Sequence, residues 1–358
     1  MQRLLCVVAV ALFSSLIVCP SSFGQGSLTP PGPPGPTMKT LQQVEPRTPV
    51  TNLPFNISQP GSYYLTTNLT GTSGFDGIII VSGNVTLDLA GFALLGVPGS
   101  LHGIIISGAR TNVTVRNGSV SSWGSDGVVA GDPAARNLVF DRLNVSASGG
   151  YGIFANTGLM IGCNVNVSGS DGIHAFACEV RNCSVASSAG TGISATSSTV
   201  RDCSVTASAG IGITASDSTV RDCAVGFSGS TGIFVVPGTV TGCLVQFSGQ
   251  SGIYVNLPGS QVTGNTCKGN NTGNSASYAG IYVNDSNNRI ENNFLHGNGA
   301  SGSGILVNGV YSGNIIIKNS VSGNGTNNYV VPGAQVVGPL ITTTGIITNS
   351  NPWANFSF

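Results

Sequence analysis

The sequence predicts an all-β fold, a single-stranded right-handed parallel β-helix (a solenoid) of about eleven coils with a cap at its N-terminal and its C-terminal end. Three observations lead to this prediction: a repeat of about 20 residues, an alternation of apolar and polar residues inside the repeat, and the recurrence of apolar residues at equivalent positions. A unit this short holds no more than three short strands and three turns, and it cannot bury its own apolar face. Successive units must therefore stack.

A glycine followed by isoleucine or valine marks each unit. The marker glycines are Gly77, Gly103, Gly127, Gly152, Gly172, Gly192, Gly212, Gly232, Gly252, Gly280 and Gly304. Their spacing is constant at every step from Gly152 to Gly252 and longer elsewhere. After each marker, apolar and polar side chains alternate, which is the periodicity of a strand with one buried face.

Stacked coils place equivalent residues in columns, and three of these columns are apolar. The first runs from Ile78 to Ile305, the second from Ile80 to Val307, and the third from Val115 to Ile316. Because three apolar columns enclose a space between them, the sequence predicts a filled core along the solenoid.

Residues 1–24 are typical of a signal peptide. Arg3 supplies a positive start, Leu4 to Val18 is apolar, and Ser22 and Gly24 are small residues that suit a cleavage site. Residues 25–40 are rich in proline and glycine and predict a stiff linker. No later segment has the roughly 18 uninterrupted apolar residues of a membrane span. The sequence therefore predicts a protein without a membrane span that is secreted or held at the cell surface.

The remaining chain divides into a β-helix and two covers, because the open end of a solenoid exposes strand edges and apolar core. The predicted segments are 41–75 for the N-terminal cap and first coil, 76–324 for the β-helix, and 325–358 for the C-terminal cap. Trp353, Phe356 and Phe358 are the expected plug of the C-terminal end.

The charge of the chain limits its partners. Thirteen basic and thirteen acidic side chains cancel, and charged residues make up 7% of the sequence, against about 25% in a typical protein. This composition does not produce the basic field that nucleic acid binding requires, so nucleic acid is excluded as a partner. A polysaccharide or a cell-surface component is the expected partner.

Five cysteines recur once in each of five successive repeats and share one predicted inward column: Cys163, Cys183, Cys203, Cys223 and Cys243. Asn265, Asn293 and Asn319 continue this column, and Gly118 and Leu143 precede it. A position that accepts Cys, Asn, Gly or Leu indicates selection for size. Stacking in register also keeps neighbouring side chains parallel and about 4.8 Å apart, whereas a disulfide needs convergent ones. Buried reduced thiols are favoured; disulfides, which export permits, and a metal site are the alternatives.

Three arginines form a second ladder with polar neighbours in the adjoining turn: Arg181, Arg201 and Arg221 beside Asn182, Asp202 and Asp222. One interpretation is a stripe for anionic sugars. The favoured interpretation is a solvated row whose charges are balanced locally.

A group of ionisable residues lies on the face of the predicted first strands. Asp76, His102, Asp126 and Asp171 each stand directly before a marker glycine, and His174 points outward from the strand that follows Asp171. Positions two coils apart are separated by about 9.6 Å at the backbone. Asp76 with Asp126, or Asp126 with Asp171, are therefore candidates for the carboxylate pair of an inverting glycosidase, which spans roughly 6.5–9.5 Å. The structural alternative is turn chemistry, in which an aspartate before glycine caps nearby amides.

Several outward residues of the same face are aromatic. Phe154, Phe234, Tyr254 and Tyr282 are candidates for stacking sugar rings or seating a partner. The alternative is that a terminal segment folds back along the solenoid and covers them.

The phrases Val-x-x-Cys-x-Val at 180–185 and 200–205 and Ile-x-x-Asn-x-Leu at 290–295 resemble the repeat of pectin-lyase-like right-handed β-helix proteins. The stretches 61–70 and 84–92 resemble the first coils of secreted bacterial members. The resemblance covers residues 55–325 and implies the fold, together with polysaccharide binding on the first-strand face in enzymes of this superfamily. It implies little about activity, because the same architecture hosts lyases, hydrolases, epimerases and adhesins.

The motifs of known enzymes of this fold are missing. The Arg-x-Pro-x-Arg of pectate lyases and the Asp-Asp, Gly-His-Gly and Arg-x-Lys elements of polygalacturonases are absent, and such short coils leave no room for long loops around a cleft. The sequence therefore predicts a non-catalytic extracellular scaffold or binding module. The alternative is a polysaccharide lyase or glycoside hydrolase that acts on the first-strand face. No cofactor is predicted, and calcium is not indicated.

Overall fold

The computed structural model describes residues 46–342 and 345–358. The predicted signal peptide 1–24, the linker 25–40 and the start of the N-terminal cap lie outside the described residues. The described strands belong to one compact unit, Arg47–Phe358.

The described residues form β-strands and turns and contain no helix, and so none that could cross a membrane. The strands are β1 Thr48–Val50, β2 Phe55–Ile57, β3 Gly61–Leu65, β4 Leu69–Thr70, β5 Ile78–Ile80, β6 Val85–Asp88, β7 Ala93–Leu95, β8 Ile104–Ile106, β9 Thr111–Ser121, β10 Val128–Ala130, β11 Arg136–Ser148, β12 Ile153–Ala155, β13 Gly158–Ile161, β14 Asn164–Ser168, β15 Ile173–Phe176, β16 Cys178–Arg181, β17 Ser184–Ala186, β18 Ile193–Thr196, β19 Thr199–Arg201, β20 Ser204–Thr206, β21 Ile213–Arg221, β22 Ala224–Gly226, β23 Ile233–Thr241, β24 Leu244–Gln246, β25 Ile253–Val255, β26 Gln261–Thr263, β27 Thr266–Lys268, β28 Ala279–Val283, β29 Arg289–Glu291, β30 Phe294–His296, β31 Ser303–Val307, β32 Ile315–Ile317, β33 Ser320–Ser322, β34 Asn327–Val330, β35 Val336–Val337, β36 Leu340–Ile341 and β37 Asn355–Ser357.

These strands form three parallel ladders. In each regular coil the strand after the marker glycine belongs to the first ladder, the next strand along the chain to the second and the following strand to the third. Long strands such as β9 and β21 take part in two ladders. The first ladder runs β2, β5, β8, β10, β12, β15, β18, β21, β23, β25, β28, β31 and β34. Within the described residues this ladder has 13 strands, against eleven marker glycines, because β2 and β34 follow no Gly-Ile or Gly-Val pair. The predicted all-β parallel solenoid is confirmed, and the boundaries of the two caps stay predictions.

The apolar columns expected from the sequence form the core. Val180, Val200 and Val220 are register partners in consecutive coils, and all three are fully buried. Ile173 and Ile193 pair in the same way on the first ladder. A valine or isoleucine buried to this extent contributes about 1.5–3 kcal/mol, so the repeated columns supply the stabilisation that a single coil lacks.

The marker glycine is required by a close approach between coils. A Cβ added at Gly172 overlaps Val185 Cγ1 and lies 2.7 Å from the carbonyl oxygen of Gly192. The same crowding recurs one coil later, where a Cβ at Gly192 meets Val205 Cγ1 and the carbonyl oxygen of Gly212. A side chain at these positions forces the coils apart, and this steric limit explains the repeat of glycine before the first strand.

The cysteine column is buried, and within the described residues seven cysteines are free: Cys163, Cys178, Cys183, Cys203, Cys223, Cys243 and Cys267. Cys203 Sγ lies within hydrogen-bonding distance of two carbonyl oxygens, that of Arg201 at 3.2 Å and that of Val180 in the preceding coil at 3.7 Å. Asn265 makes the corresponding contact in the next part of the column, because its Nδ2 donates to the carbonyl oxygen of Val240 at 3.0 Å, and its Oδ1 also accepts the N–H of Cys243 at 2.9 Å. From Cys163 to Asn319 the position therefore holds a small side chain that can form hydrogen bonds while buried. The thiols of Cys163 and Cys203, together with burial, raise the pKa of Cys183, so the Cys183 thiol stays protonated.

Of the three aromatic residues expected to plug the C-terminal end, Phe356 is half-buried on β37 beside β33, whereas Trp353 and Phe358 are 48% and 50% exposed. The buried Asn355 instead ends the inward column, since its Oδ1 accepts the N–H of Asn319 at 3.0 Å. The Tyr329 hydroxyl donates to the carbonyl oxygen of Asn319 at 2.9 Å. Backbone groups of the last coil are thus satisfied by polar side chains.

Candidate functional site

The ionisable residues predicted on the first-strand face occupy one position of consecutive coils. Backbone hydrogen bonds join the coils just beyond this position, and they place Asp76, His102, Asp126, Tyr151 and Asp171 in successive rows. Each residue stands two positions before a strand of the first ladder. The register places Tyr151 in the fourth row.

His102 lies between two carboxylates. Its Nδ1 is 2.9 Å from Asp76 Oδ1 and its Nε2 is 3.4 Å from Asp126 Oδ2, while Ser125 Oγ is 3.2 Å from Nε2. Asp126 and Asp76 raise the pKa of His102 above its usual value, and burial opposes them in part. Because a carboxylate only accepts hydrogen bonds, an imidazolium with two N–H groups satisfies both aspartates at once. The cluster is therefore an ion triplet with no free ring nitrogen.

The aspartates also accept backbone N–H groups from the following coil. The pairs are Asp76 Oδ1 with His102 N at 2.9 Å, Asp126 Oδ1 with Tyr151 N at 2.7 Å, and Asp171 Oδ1 with Thr191 N at 2.8 Å. The aspartates thus cap backbone amides, as in the alternative interpretation of these residues as turn chemistry, but the capped amides belong to the following coil. The space between Asp76 and Asp126 holds the His102 ring, so these two carboxylates flank an imidazole where an inverting glycosidase holds its water and substrate.

Asp171 and His174 form a second, more open arrangement. His174 Nδ1 is 3.2 Å from Asp171 Oδ2, and the His174 ring packs 5.1 Å from the rings of both Tyr151 and Phe154. No hydrogen bond engages Nε2 within the described part of the chain. A carboxylate on Nδ1 favours the Nδ1–H tautomer and leaves Nε2 as an acceptor, so this pair has the arrangement of a general base.

The remaining predicted aromatic residues form a row farther along the same face. The rings of Phe234 and Tyr254 stack with centroids 5.2 Å apart and planes at 11°, and the Tyr282 ring is 4.9 Å from that of Tyr254. We call these three residues the aromatic row. An open groove of about 360 Å³ runs beside it, and Gln250 and Tyr278 contribute to its lining.

Phe154 is separated from the aromatic row. Two coils with Ser194 and Thr214 at the equivalent position lie between His174 and Phe234. The first-strand face thus carries three groups of side chains: the ion triplet around His102, the cluster around His174 and the aromatic row around Tyr254.

Sequence reasoning missed Ser125, which lies beside His102, and Tyr278, which lines the groove beside Tyr254. Ser125 immediately precedes Asp126, so its proximity was available as a signal. Tyr278 lies in the longer connection before Gly280, and only the folded chain brings it beside Tyr254.

The arginine ladder is balanced by acidic neighbours. Arg201 contacts Glu179 at 2.8 Å and Asp202 at 2.9 Å, and Arg221 contacts Asp222 at 3.2 Å. The local balance agrees with the favoured interpretation of the ladder as a solvated row. Among the described residues, no group of three or more His, Cys, Asp or Glu side chains is arranged to hold a metal ion.

Comparison with known proteins identifies the architecture. The family model described as "Right handed beta helix region" matches residues 102–239. Together with the three parallel ladders, this match makes the chain a right-handed parallel β-helix repeat protein. A search of the curated proteins found no match.

Several solved structures share the fold. The A-module of the mannuronan C-5 epimerase AlgE4 of Azotobacter vinelandii has a TM-score of 0.54 at 13% identity, over 77% of this chain and 90% of that chain. The catalytic domain of a GH87 α-1,3-glucanase has a TM-score of 0.53 at 12% identity, over 74% and 60%. The periplasmic alginate epimerase AlgG has a TM-score of 0.50 at 13% identity, over 84% and 78%. At these identities the similarity concerns the fold alone.

Proposed function

We propose that the protein is a secreted, non-catalytic β-helix module that binds a polysaccharide along its first-strand face. The observation that carries this proposal is the aromatic row Phe234–Tyr254–Tyr282. Its rings are partly exposed and follow one another at coil spacing, and such rings are suited to stacking against the apolar faces of successive sugar units. Stacking of this kind holds a polymer without requiring any group that reacts with it.

The names of similar structures support a polysaccharide as the partner. One is a mannuronan epimerase, one an alginate epimerase, and one an α-1,3-glucanase in complex with tetrasaccharides. The epimerase AlgG is described as periplasmic, which agrees with the export that residues 1–24 predict.

The geometry of the ion triplet supports the non-catalytic part of the proposal. Both ring nitrogens of His102 are engaged, and the carboxylates of Asp76 and Asp126 each hold a backbone amide as well as the ring. A general acid or base needs an oxygen or nitrogen that reaches the substrate. These residues are instead occupied in joining three coils.

Affinity electrophoresis of the purified protein in gels containing polysaccharides tests binding. We expect retardation by at least one polymer, and about tenfold weaker retardation for Tyr254→Ala, because loss of a stacking ring removes about 1.4 kcal/mol. Phe247→Ala is the matched control, since Phe247 is also exposed and stacks on Phe227 at 5.3 Å, but it lies directly after the third-ladder strand β24. Equal mobility with and without every polymer would refute the proposal.

A second candidate function is a polysaccharide lyase or glycoside hydrolase at Asp171 and His174. The free Nε2 of His174 favours it, with the Tyr151 ring beside it. New reducing ends report a hydrolase, and absorbance of unsaturated uronides reports a lyase. Turnover that is lost in Asp171→Asn and His174→Gln would establish this candidate in place of the non-catalytic module, whereas we expect no turnover. Asp126→Asn, a substitution in the ion triplet, tests whether the triplet contributes to any turnover.

A further inference from the structure

A ladder of asparagine side chains runs along the edge of the aromatic row. Asn256, Asn284 and Asn308 each stand two residues after an outward residue of a first-ladder strand. Asn284 Nδ2 donates to Asn256 Oδ1 at 3.1 Å, and Asn308 Nδ2 donates to Asn284 Oδ1 at 2.8 Å. The Tyr282 hydroxyl is 3.3 Å from Asn284 Oδ1. The ladder and the aromatic row therefore form one continuous surface.

The amides of this ladder keep hydrogen-bonding capacity for a ligand. Each carboxamide has two N–H donors and two lone pairs on its oxygen. Asn284 Oδ1 already accepts from Asn308 Nδ2 and from the Tyr282 hydroxyl, but one N–H of Asn284, one of Asn308 and both of Asn256 are left for a ligand. The three asparagines are partly exposed. Amides that donate and accept match sugar hydroxyls, which also donate and accept.

The surface around the aromatic row carries almost no charge. The strands β18, β25, β28 and β31 and the first-ladder parts of β21 and β23 contain no lysine or arginine. The basic residues of these coils lie on other ladders, for example Arg221 on the second and Lys268 on the third. Asp285, directly after Asn284, is the charged group nearest in sequence and is acidic. Burial and the neighbouring tyrosines raise the pKa of Tyr254, so its hydroxyl also stays neutral.

The other end of the same face is acidic. Asp76, Asp126 and Asp171 line it, and His102 compensates only part of their charge. A polyanion bound along the first-strand face therefore meets no cation on the strands of the aromatic row. At the other end of the face, where Asp76, Asp126 and Asp171 lie, it meets net negative charge. Because complementary charge is what attracts a polyelectrolyte to a surface, this arrangement disfavours uronate polymers.

We infer that the ligand of this surface is a neutral polysaccharide, with sugar rings stacked on Phe234, Tyr254 and Tyr282 and hydroxyls hydrogen-bonded to Asn256, Asn284 and Asn308. The inference rests on the proposed function and specifies its ligand class. It assigns the asparagine ladder a role in ligand recognition.

Affinity electrophoresis with two sets of polymers tests the ligand class. The neutral set is mixed-linkage β-glucan, laminarin, dextran, xylan and galactomannan, and the anionic set is alginate, polygalacturonate and hyaluronan. We expect retardation by a neutral polymer, unchanged between low and high salt, and none by the anionic set. Stronger retardation by an anionic polymer, or retardation that high salt abolishes, overturns the inference but leaves polysaccharide binding intact. No retardation by either set overturns both.

Isosteric substitutions test the ladder. Asn284→Asp keeps the shape of the side chain but removes both donors, so we expect about tenfold weaker binding of the neutral polymer. Asn112→Asp is the matched control, because Asn112 lies in a similar exposed ladder, in which it donates to Asn84 at 2.8 Å and accepts from Asn137 at 2.9 Å. Equal binding by the two variants, with unchanged circular dichroism, would show that the asparagine ladder does not contact the ligand.

Discussion

The substitution Asn293→Ala tests the buried hydrogen-bond column that continues the cysteines. Asn293 is 1% exposed. Its Oδ1 accepts the N–H of Asn265 at 2.9 Å, and its Nδ2 donates to the carbonyl oxygen of Val262 at 2.9 Å and to Asn319 Oδ1 at 3.0 Å. Alanine removes these contacts and puts no polar group in their place.

The magnitude follows from the groups left without partners. The N–H of Asn265 and the carbonyl of Val262 each lose a buried partner, and each such loss costs about 1–3 kcal/mol. We expect a total loss of about 4 kcal/mol, which is a large part of the roughly 5–15 kcal/mol of a typical domain. Asn293→Cys is expected to lose less, because a thiol at the equivalent position of an earlier coil contacts the equivalent carbonyl oxygen, as Cys203 Sγ contacts that of Val180 at 3.7 Å.

Two measurements check this expectation. Urea unfolding followed by circular dichroism gives the loss of stability, and hydrogen exchange of the peptide that contains Asn265 shows whether the loss is local, as stacked repeats permit. Asn144→Ala is the control, since Asn144 is exposed on β11. If Asn293→Ala costs no more than Asn144→Ala, the column is held by packing and the hydrogen bonds do not matter.

Three further predictions concern other parts of the coil. His102→Gln should flatten the pH dependence of the melting temperature. The ion triplet raises the pKa of His102 in the folded protein. The stabilisation of the folded protein by this histidine is therefore complete below about pH 6.5 and is lost as the pH rises through the raised pKa. Gly172→Ala should destabilise by about 1–3 kcal/mol through overpacking in chemical denaturation, whereas Gly226→Ala, whose added Cβ is 3.5 Å from its nearest neighbour, should not. Alkylation without reductant should modify Cys183 and Cys203 only after unfolding.

Each of these predictions has a result that contradicts it. A wild-type melting temperature that rises from pH 6 to pH 8, relative to His102→Gln, reverses the sign expected for a raised histidine pKa. Equal stability of the two glycine variants removes the steric explanation of the marker glycine. Peptides that link Cys183 to Cys203, or thiols that react in the folded protein, contradict a buried reduced column.

The repeat made the fold predictable from sequence. Every coil uses the same three strand positions, so a local pattern repeated eleven times specified the columns of Val180, Val200 and Val220 without any knowledge of the turns. The expected number of about eleven coils came close to the 13 strands of the first ladder, and β2 and β34 were not counted because no Gly-Ile or Gly-Val pair precedes them. The aromatic candidates on the first-strand face followed from the same alternation.

The sequence by itself determined which residues share a face; only the tertiary structure decided which side chains meet. Stacking is a translation by one coil, so membership of a column follows from spacing alone. Contacts depend also on side-chain conformation and on coils of unequal length. His102 is wedged between Asp76 and Asp126 because its ring reaches the carboxylates of both neighbouring coils. The contact of the Cys203 thiol was hidden for the same reason: its partner is the carbonyl oxygen of Val180 in the preceding coil, 3.7 Å away and within reach only because the coils stack.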